Sequence, residues 1–382
     1  MQIKSPISIW ERETYLQNFD FAIIGNGFTG MQVALQIRKK YHGATIAVID
    51  KGYISDGASM RNAGFACFGS VSEIIDDIAG QDETTVYDLV KMRFQGLQNL
   101  ENDFGKKAID YRTGNAQEVF LSSEKLQYET CLDTLEGVNK KMKPITGLGT
   151  TYKAINRSKT FGNLNSFMPQ SIVNELEGYL HTGKLYHEMQ KQVIAADIFW
   201  VNNFEVDSFT AVNQKWCIKS KCEREIWANQ VISCVNAYTP LLIKNADLTP
   251  ARGQIIVTEP LKNQPLTGIF HADKGYIYAR PLDNRILIGG ARNLDFEAEN
   301  THEFAENTKI TEALLDFVNK NLLSEEETKI AYKWSCIMAM SPRKGGLPII
   351  KEEKPNLWLC YRLGGMGLAL SSVVSRKMAA ML

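Results

Sequence analysis

An α/β fold (α+β overall), with one domain on a parallel sheet and a second that is mainly antiparallel, is what three features of this 382-residue chain predict. The first is the segment from Phe21 to Asp50. Phe21-Ala22-Ile23-Ile24 is wholly apolar, as suits a strand buried on both faces, and it ends at Gly25-Asn26-Gly27-Phe28-Thr29-Gly30. A helical pattern follows, with Met31, Ala34, Leu35 and Ile37 near one face, and then a second apolar run from Ala44 to Ile49 closed by Asp50. The second feature is a repeat of this grammar near the end: an apolar run from Leu357 to Tyr361, then a glycine turn at Leu363-Gly364-Gly365-Met366-Gly367. The third is a set of strand-like runs, Gly253 to Glu259, Gly275 to Arg280 and Asn284 to Gly290, separated by turn residues such as Asp283-Asn284.

The G-x-G-x-x-G spacing has a physical reading. Gly25 permits a tight turn, Gly27 lets backbone approach a pyrophosphate met by helix N-terminal N–H groups, and Gly30 lets helix and strand pack closely. Asp50, with Lys51 beside it, stands twenty positions after Gly30, where a carboxylate can accept hydrogen bonds from a ribose diol. This segment alone leaves NAD and FAD both open.

Composition sets bounds. The chain is 44% hydrophobic, enough for a large core, and Lys+Arg and Asp+Glu balance at 43 each, so no net field favours nucleic acid. A small molecule is the expected partner. No apolar stretch has the length of a membrane span, and the first twenty residues lack a long apolar core, so a cytoplasmic protein is expected. The seven cysteines, Cys67, Cys131, Cys217, Cys222, Cys234, Cys336 and Cys360, form no C-x-x-C pair. Free thiols and no metal site are the expectation.

Taken in order, residues 5–19 read as an arm on the domain edge, and Gly57 to Ser70 is dense in small residues, as when backbone lies against a bulky planar ligand. Apolar spacing predicts helices around Val86 to Leu100 and Tyr128 to Val138, with a strand pair from Ala108 to Leu121 turning near Thr113-Gly114. Leu185, Met189 and Val193 continue a helix. Short strands between Phe199 and Trp227 suggest a meander, and Gln230 to Val235 is a second buried strand. Ile310, Leu314, Phe317 and Val318 are helical again, as is Leu368 to Leu382.

Several separated blocks together resemble the D-amino-acid-oxidase-like superfamily of FAD-dependent oxidoreductases. They are IIGNGFTG, GASMRNAGF, VISCVNAYTPLL, ARGQ, YIYARPLDNRILIGGARN, WSCIMAMSPRKGGLPII and LGGMGLALS. The pattern looks most like the branch of γ-glutamylputrescine, glycine and sarcosine oxidases. The resemblance implies a Rossmann-like FAD-binding domain of glutathione-reductase type at 1–85, 177–244 and 326–382, and a mainly antiparallel β substrate domain at 86–176 and 245–325. It assigns to FAD Gly25, Gly27, Phe28, Thr29, Gly30, Asp50 and Lys51; Ser59, Arg61, Asn62, Ala63 and Gly64; the backbone of Val206 beside adenine; Asn236; and Gly364, Gly365, Met366, Gly367 and Leu368. Cys336 stands six residues before Pro342, where monomeric sarcosine oxidases carry a flavin thioether, while Met60 occupies the place of a flavin-linking histidine of some relatives. Noncovalent FAD is expected, with attachment at Cys336 the minor alternative.

Because a flavin performs the difficult step itself, no triad is required. His42, His181, His187, His271 and His302 have no evident acid or thiol partner in the sequence and read as surface or structural residues. Arg280 and Arg292 are the candidates for gripping a substrate carboxylate, and Tyr276 and Tyr278, at alternate positions, for walling the pocket. The expected function is oxidation of the C–N bond of a small amine or amino acid by hydride transfer to flavin, with oxygen or an electron carrier as final acceptor. A 2-hydroxy-acid or polyol-phosphate dehydrogenase, or a noncatalytic flavin-binding protein, are the alternatives.

Overall fold

The computed structural model describes residues 6–156, 166–323, 327–343 and 345–382. The apolar run at Phe21 becomes the strand Asn18–Ile24, central in the first sheet. It pairs in parallel with Ile46–Ile49 and with Glu225–Ser233, placing Ile24 opposite both Ile49 and Ser233. Phe199–Val201 extends this parallel layer on one side and Leu357–Tyr361 on the other. Val206–Val212 and Lys215–Ser220 form the expected meander on the outer part of Glu225–Ser233. The central strands are buried on both faces because helices cover one and the meander the other. Met31, Ala34 and Ile37 of the helix Phe28–Lys40 share a core with Leu185 and Met189, and with Val374 and Met378 of the helix Gly367–Met381. Ala22, Ile24 and Ala47 pack instead under Trp216, Ile218 and Ile226.

The second sheet runs in the order Ile330–Met340, Thr249–Thr258, Arg285–Gly290, Ile277–Leu282, Phe270–Ala272, Ala116–Leu121, Phe167–Asn174 and Lys153–Asn156. Every pairing is antiparallel except that of Phe270–Ala272 with Ala116–Leu121. Ile310 and Leu314 of the helix Thr308–Phe317 close one face over Ile256, Ile286 and Ile288.

Three details differ from the sequence reading. Ala108 to Leu121 is not a strand pair: Arg112–Thr113 pairs with Gly178–Tyr179 in a small third sheet, while Ala116–Leu121 joins the second. Local turn residues gave no hint that the two strands have separate long-range partners. Ile330–Met340, placed in sequence with the nucleotide-binding segments, pairs along its length with Thr249–Thr258; the boundary set at 326 lies outside the described residues. The helix Glu83–Phe104, assigned to the substrate side, packs on the helix Gly367–Met381. Gly96 permits this: a Cβ there would lie 1.6 Å from the Ala369 carbonyl oxygen.

Candidate cofactor and substrate cavity

Between the two sheets lies a continuous cavity of about 610 Å³. One end is built by the first strand–turn–helix. Gly25 has φ +103, and a Cβ there would come 2.9 Å from the Cys234 carbonyl oxygen. Gly30 does not face the cavity; its missing Cβ would sit 1.9 Å from the Gly25 carbonyl oxygen, so it serves the close packing of turn and helix. Gly27 caps the helix without a side-chain acceptor, and the Phe28 N–H donates to the Ser59 hydroxyl at 2.9 Å. Asp50 accepts from the N–H groups of Asn26 and Gly52, each at 2.9 Å. Burial raises the Asp50 carboxyl above its ordinary value, against the lowering effect of those two bonds. Lys51 lies over the Tyr238 ring at 4.7 Å, and Val206 completes this end of the wall.

In the middle stand Ser59, Asn62 and Ala63 from the small-residue stretch, facing Asn236 and the second glycine turn. Asn62 is fastened by its own neighbourhood: it accepts from Gly64 N–H at 2.8 Å and donates to the Ala58 and Ser59 carbonyls. Arg61 and Gly64 are not on the cavity. Arg61 donates to the Asp56 carbonyl and stacks 4.4 Å from the Phe304 ring, whereas Gly64, at φ +78, passes against the Leu180 carbonyl. Gly364, Gly365, Met366, Gly367 and Leu368 all line the cavity, and the helix Gly367–Met381 has no side-chain cap.

The far end is a wall of the second sheet, where Ile255, Tyr278, Cys336 and Met338 present side chains with Phe65 packed against them. Cys336 sits opposite Gly253, and burial pushes its thiol up to about 11, so little of it is thiolate near neutrality. Tyr276 and Arg292 line the same end. Ala291, at φ +54, starts the turn that carries Arg292. The Arg292 guanidinium stacks 4.9 Å from Phe296 and donates to Asn300, while its buried Nε–H has no partner in the protein. Burial lowers its basicity.

Two sequence expectations need correction. Arg280 does not reach the cavity: its Nε donates to the Ala63 carbonyl at 2.7 Å, it lies 5.1 Å over Tyr179, and burial brings it down to about 10. It braces the small-residue stretch from behind. His271 is not partnerless: its Nε2 is 3.5 Å from the Cys67 sulfur and 4.0 Å from a Glu177 oxygen, and it lines the cavity. These partners are far off in sequence, Cys67 just after the strand Phe65–Ala66 and Glu177 just before Gly178–Tyr179, so no local motif could have joined them. The donor atoms of Cys67, Glu177 and His271 lie within 4.8 Å of one another.

The cavity fits FAD on three observations. Two helix N-termini whose own N-cap residues, Gly27 and Met366, supply no side-chain acceptor open on it, which suits an anionic pyrophosphate and the negative edge of a flavin. A Cβ on Gly364 or Gly365 would meet no protein atom closer than 4.0 Å, so that cradle is open for a ligand. The Tyr238 hydroxyl and Arg292 Nε, both on lining residues, are buried without protein partners. Among the described residues no helix is long and apolar enough to cross a membrane.

Comparison with known proteins agrees. Glycine oxidase from Geobacillus kaustophilus superposes with a TM-score of 0.76 at 15% identity, covering 96% of this chain and 94% of that one. L-proline dehydrogenase from P. horikoshii gives 0.74 at 16%, covering 96% and 93%. A protein of Haemophilus influenzae described as "Probable oxidoreductase OrdL" is 22% identical over 380 residues, 96% of this chain and 83% of that protein. Residues 20–381 match the DAO family, described as FAD dependent oxidoreductase. With the glycine turns, the two helix N-termini and the apolar sheet wall arranged on one cavity, the chain belongs to the DAO family of FAD-dependent oxidoreductases, and its cofactor is FAD.

Proposed function

We propose that the protein oxidises the C–N bond of a small amino acid or amine, giving an imine that water hydrolyses. The observation that carries this reading is Arg292, at the end of the cavity formed by the second sheet, with a buried and unpartnered Nε–H. A guanidinium with a free N–H, placed beyond an apolar wall, suits the carboxylate of an amino acid. Tyr276 and Tyr278 then confine the carbon skeleton, and Phe65, Ile255 and Met338 keep water from the reacting carbon. FAD, once bound, supplies the hydride acceptor. By proposal, Gly25, Gly27, Phe28, Thr29, Asp50 and Lys51 hold the adenylate half, and Gly364 to Leu368 meet the flavin. Glycine oxidase and L-proline dehydrogenase, both similar in fold, act as their names say on amino acids, which supports the same class here.

The test is anaerobic bleaching of the flavin by glycine, N-methylglycine, L-proline, putrescine, lactate and glycerol 3-phosphate. Bleaching by an amine in the panel is expected. Bleaching by lactate or glycerol 3-phosphate and by no amine would replace this reading with hydroxyl oxidation, and a flavin reduced by no donor would leave a binding protein.

A further inference from the structure

The sequence reading treated His271 as a surface or structural residue, yet it stands in a cross-strand row with two other functional side chains. Its strand, Phe270–Ala272, pairs His271 with Tyr278 on one side and with Glu118 on the other. Directly paired residues show their side chains on one face of a sheet. Tyr278 lines the main cavity. Glu118 lines a second, small cavity of about 10 Å³, enough for a water molecule, shared with Ser70, Tyr152 and Glu177. His271 lines both, and so forms the partition between them.

The surroundings of the imidazole are rich in acid. Glu177, fully buried, accepts from the Phe68 and Gly69 N–H groups at 2.6 and 2.9 Å and turns its other oxygen toward His271. Glu118 accepts from Ser70 Oγ and from the N–H groups of Val71 and Ser72, all at 3.1 Å. Glu73 faces the same cluster from the helix Val71–Gly80, and Arg93 is the one guanidinium among them, donating to the Phe68 carbonyl. Cys67 completes the ring, with its thiol pushed far up by burial and so uncharged. Asp77 also faces Arg93, so among the described residues four carboxyl groups stand around one guanidinium. Glu177 and the Cys67 sulfur both lie at Nε2, which favours a hydrogen on that nitrogen and leaves the Nδ1 lone pair to accept.

We infer that His271 accepts, at Nδ1, the proton that a substrate ammonium group must lose before its C–H bond can be oxidised, with Glu177 as its positioning partner. This rests on the proposed amine oxidation. In the step an ammonium N–H bond breaks and an imidazole N–H bond forms. No electrons are exchanged; the substrate nitrogen regains the lone pair that drives hydride from the neighbouring carbon. Glu177 offsets the charge gained by the ring, as a carboxylate behind a catalytic imidazole does elsewhere. Glu118, which burial pushes up to about 7, is a second proton acceptor across the small cavity. The proton returns to solvent after the product leaves.

The experiment uses FAD-loaded wild type, His271→Asn, His271→Gln and Glu177→Gln with the fastest amine of the panel. At neutral pH, where the amine is an ammonium ion, H271N and H271Q should bleach about 100-fold more slowly. The deficit should shrink toward nothing at high pH, where the amine arrives already neutral, and E177Q should show a smaller loss with the same pH dependence. A loss constant across pH would mark a structural role and overturn the inference, as would wild-type behaviour. A second readout needs no turnover. With 2-aminoisobutyrate, which has no α-hydrogen to give, histidine-selective NMR should show one imidazole, absent in H271N, converting to imidazolium as the ligand saturates the protein. An imidazole that stays neutral overturns the inference. If no amine bleaches even the wild type, the failure belongs to the proposed function instead.

Discussion

Gly289 lies directly across from Tyr278 on the neighbouring strand, and a Cβ at Gly289 would come within 2.7 Å of the Tyr278 ring. The aromatic ring therefore lies over bare backbone at the cavity wall. Gly289→Ala should push Tyr278 into the cavity or off its rotamer, at a cost of about 1–3 kcal/mol. The expected result is a drop in kcat/KM of about tenfold or more with FAD still bound, because small displacements of a positioning group are costly. Steady-state kinetics beside a flavin absorbance spectrum checks this, and Tyr278→Phe, which keeps the ring and its packing, should behave much more like the wild type.

The two arginines separate by location. Arg292→Gln should cut kcat/KM by about 10- to 100-fold for amino acids, the range expected from losing a charge-assisted hydrogen bond of about 1.5–3 kcal/mol, and change little for putrescine, which has no carboxylate. Arg280→Gln, whose side chain braces the Ala63 carbonyl, should lower the unfolding midpoint and affect both substrate types alike. Equal effects of R292Q on both substrates would take Arg292 out of substrate binding.

The nucleotide half of this protein was legible in sequence because its determinants are local. Gly25, Gly30 and Asp50 fall in one thirty-residue segment, and the turn, the close packing and the carboxylate's two backbone bonds all arise within it or from its immediate partner strand. The substrate half was not. Whether Arg280 or Arg292 reaches the cavity depends on a turn started by Ala291 in a left-handed conformation, which no glycine or asparagine announces. His271 gains its role from strand register, since only the pairing with Tyr278 and Glu118 places it between two cavities. Helix periodicity likewise found Glu83–Phe104 but could not say which unit its apolar face covers, a matter decided by Gly96 against Ala369.

The state of Cys336 predicts noncovalent attachment of FAD. Thioether formation needs an activated thiolate, and burial among Ile255, Val257 and Leu287 holds this thiol protonated. Acid precipitation should leave a colourless pellet and a yellow supernatant. A yellow pellet that turns colourless in Cys336→Ala would show a bond at that sulfur.

Glu118 makes the stability of the fold depend on pH in a direction opposite to that of an ion-paired carboxylate. Burial is the largest influence on it and carries it from an ordinary 4.5 to about 7, partly opposed by its bonds to Ser72. The folded state therefore binds this proton more tightly than the unfolded state. Its contribution is fully present below about pH 4.5 and is lost as pH rises through about 7, by a total on the order of 3 kcal/mol. Glu177 and Asp50, also raised by burial, act in the same direction. Urea unfolding from about pH 5 to about pH 8 should show declining stability in the wild type and a shallower decline in Glu118→Gln, whose neutral amide has no proton to lose. Some slope should remain in that variant from the other two carboxyls. Identical slopes would mean that Glu118 is already ionised in the folded protein at acid pH, held by the three donors of the Ser70 turn, and could not serve as a proton acceptor behind His271.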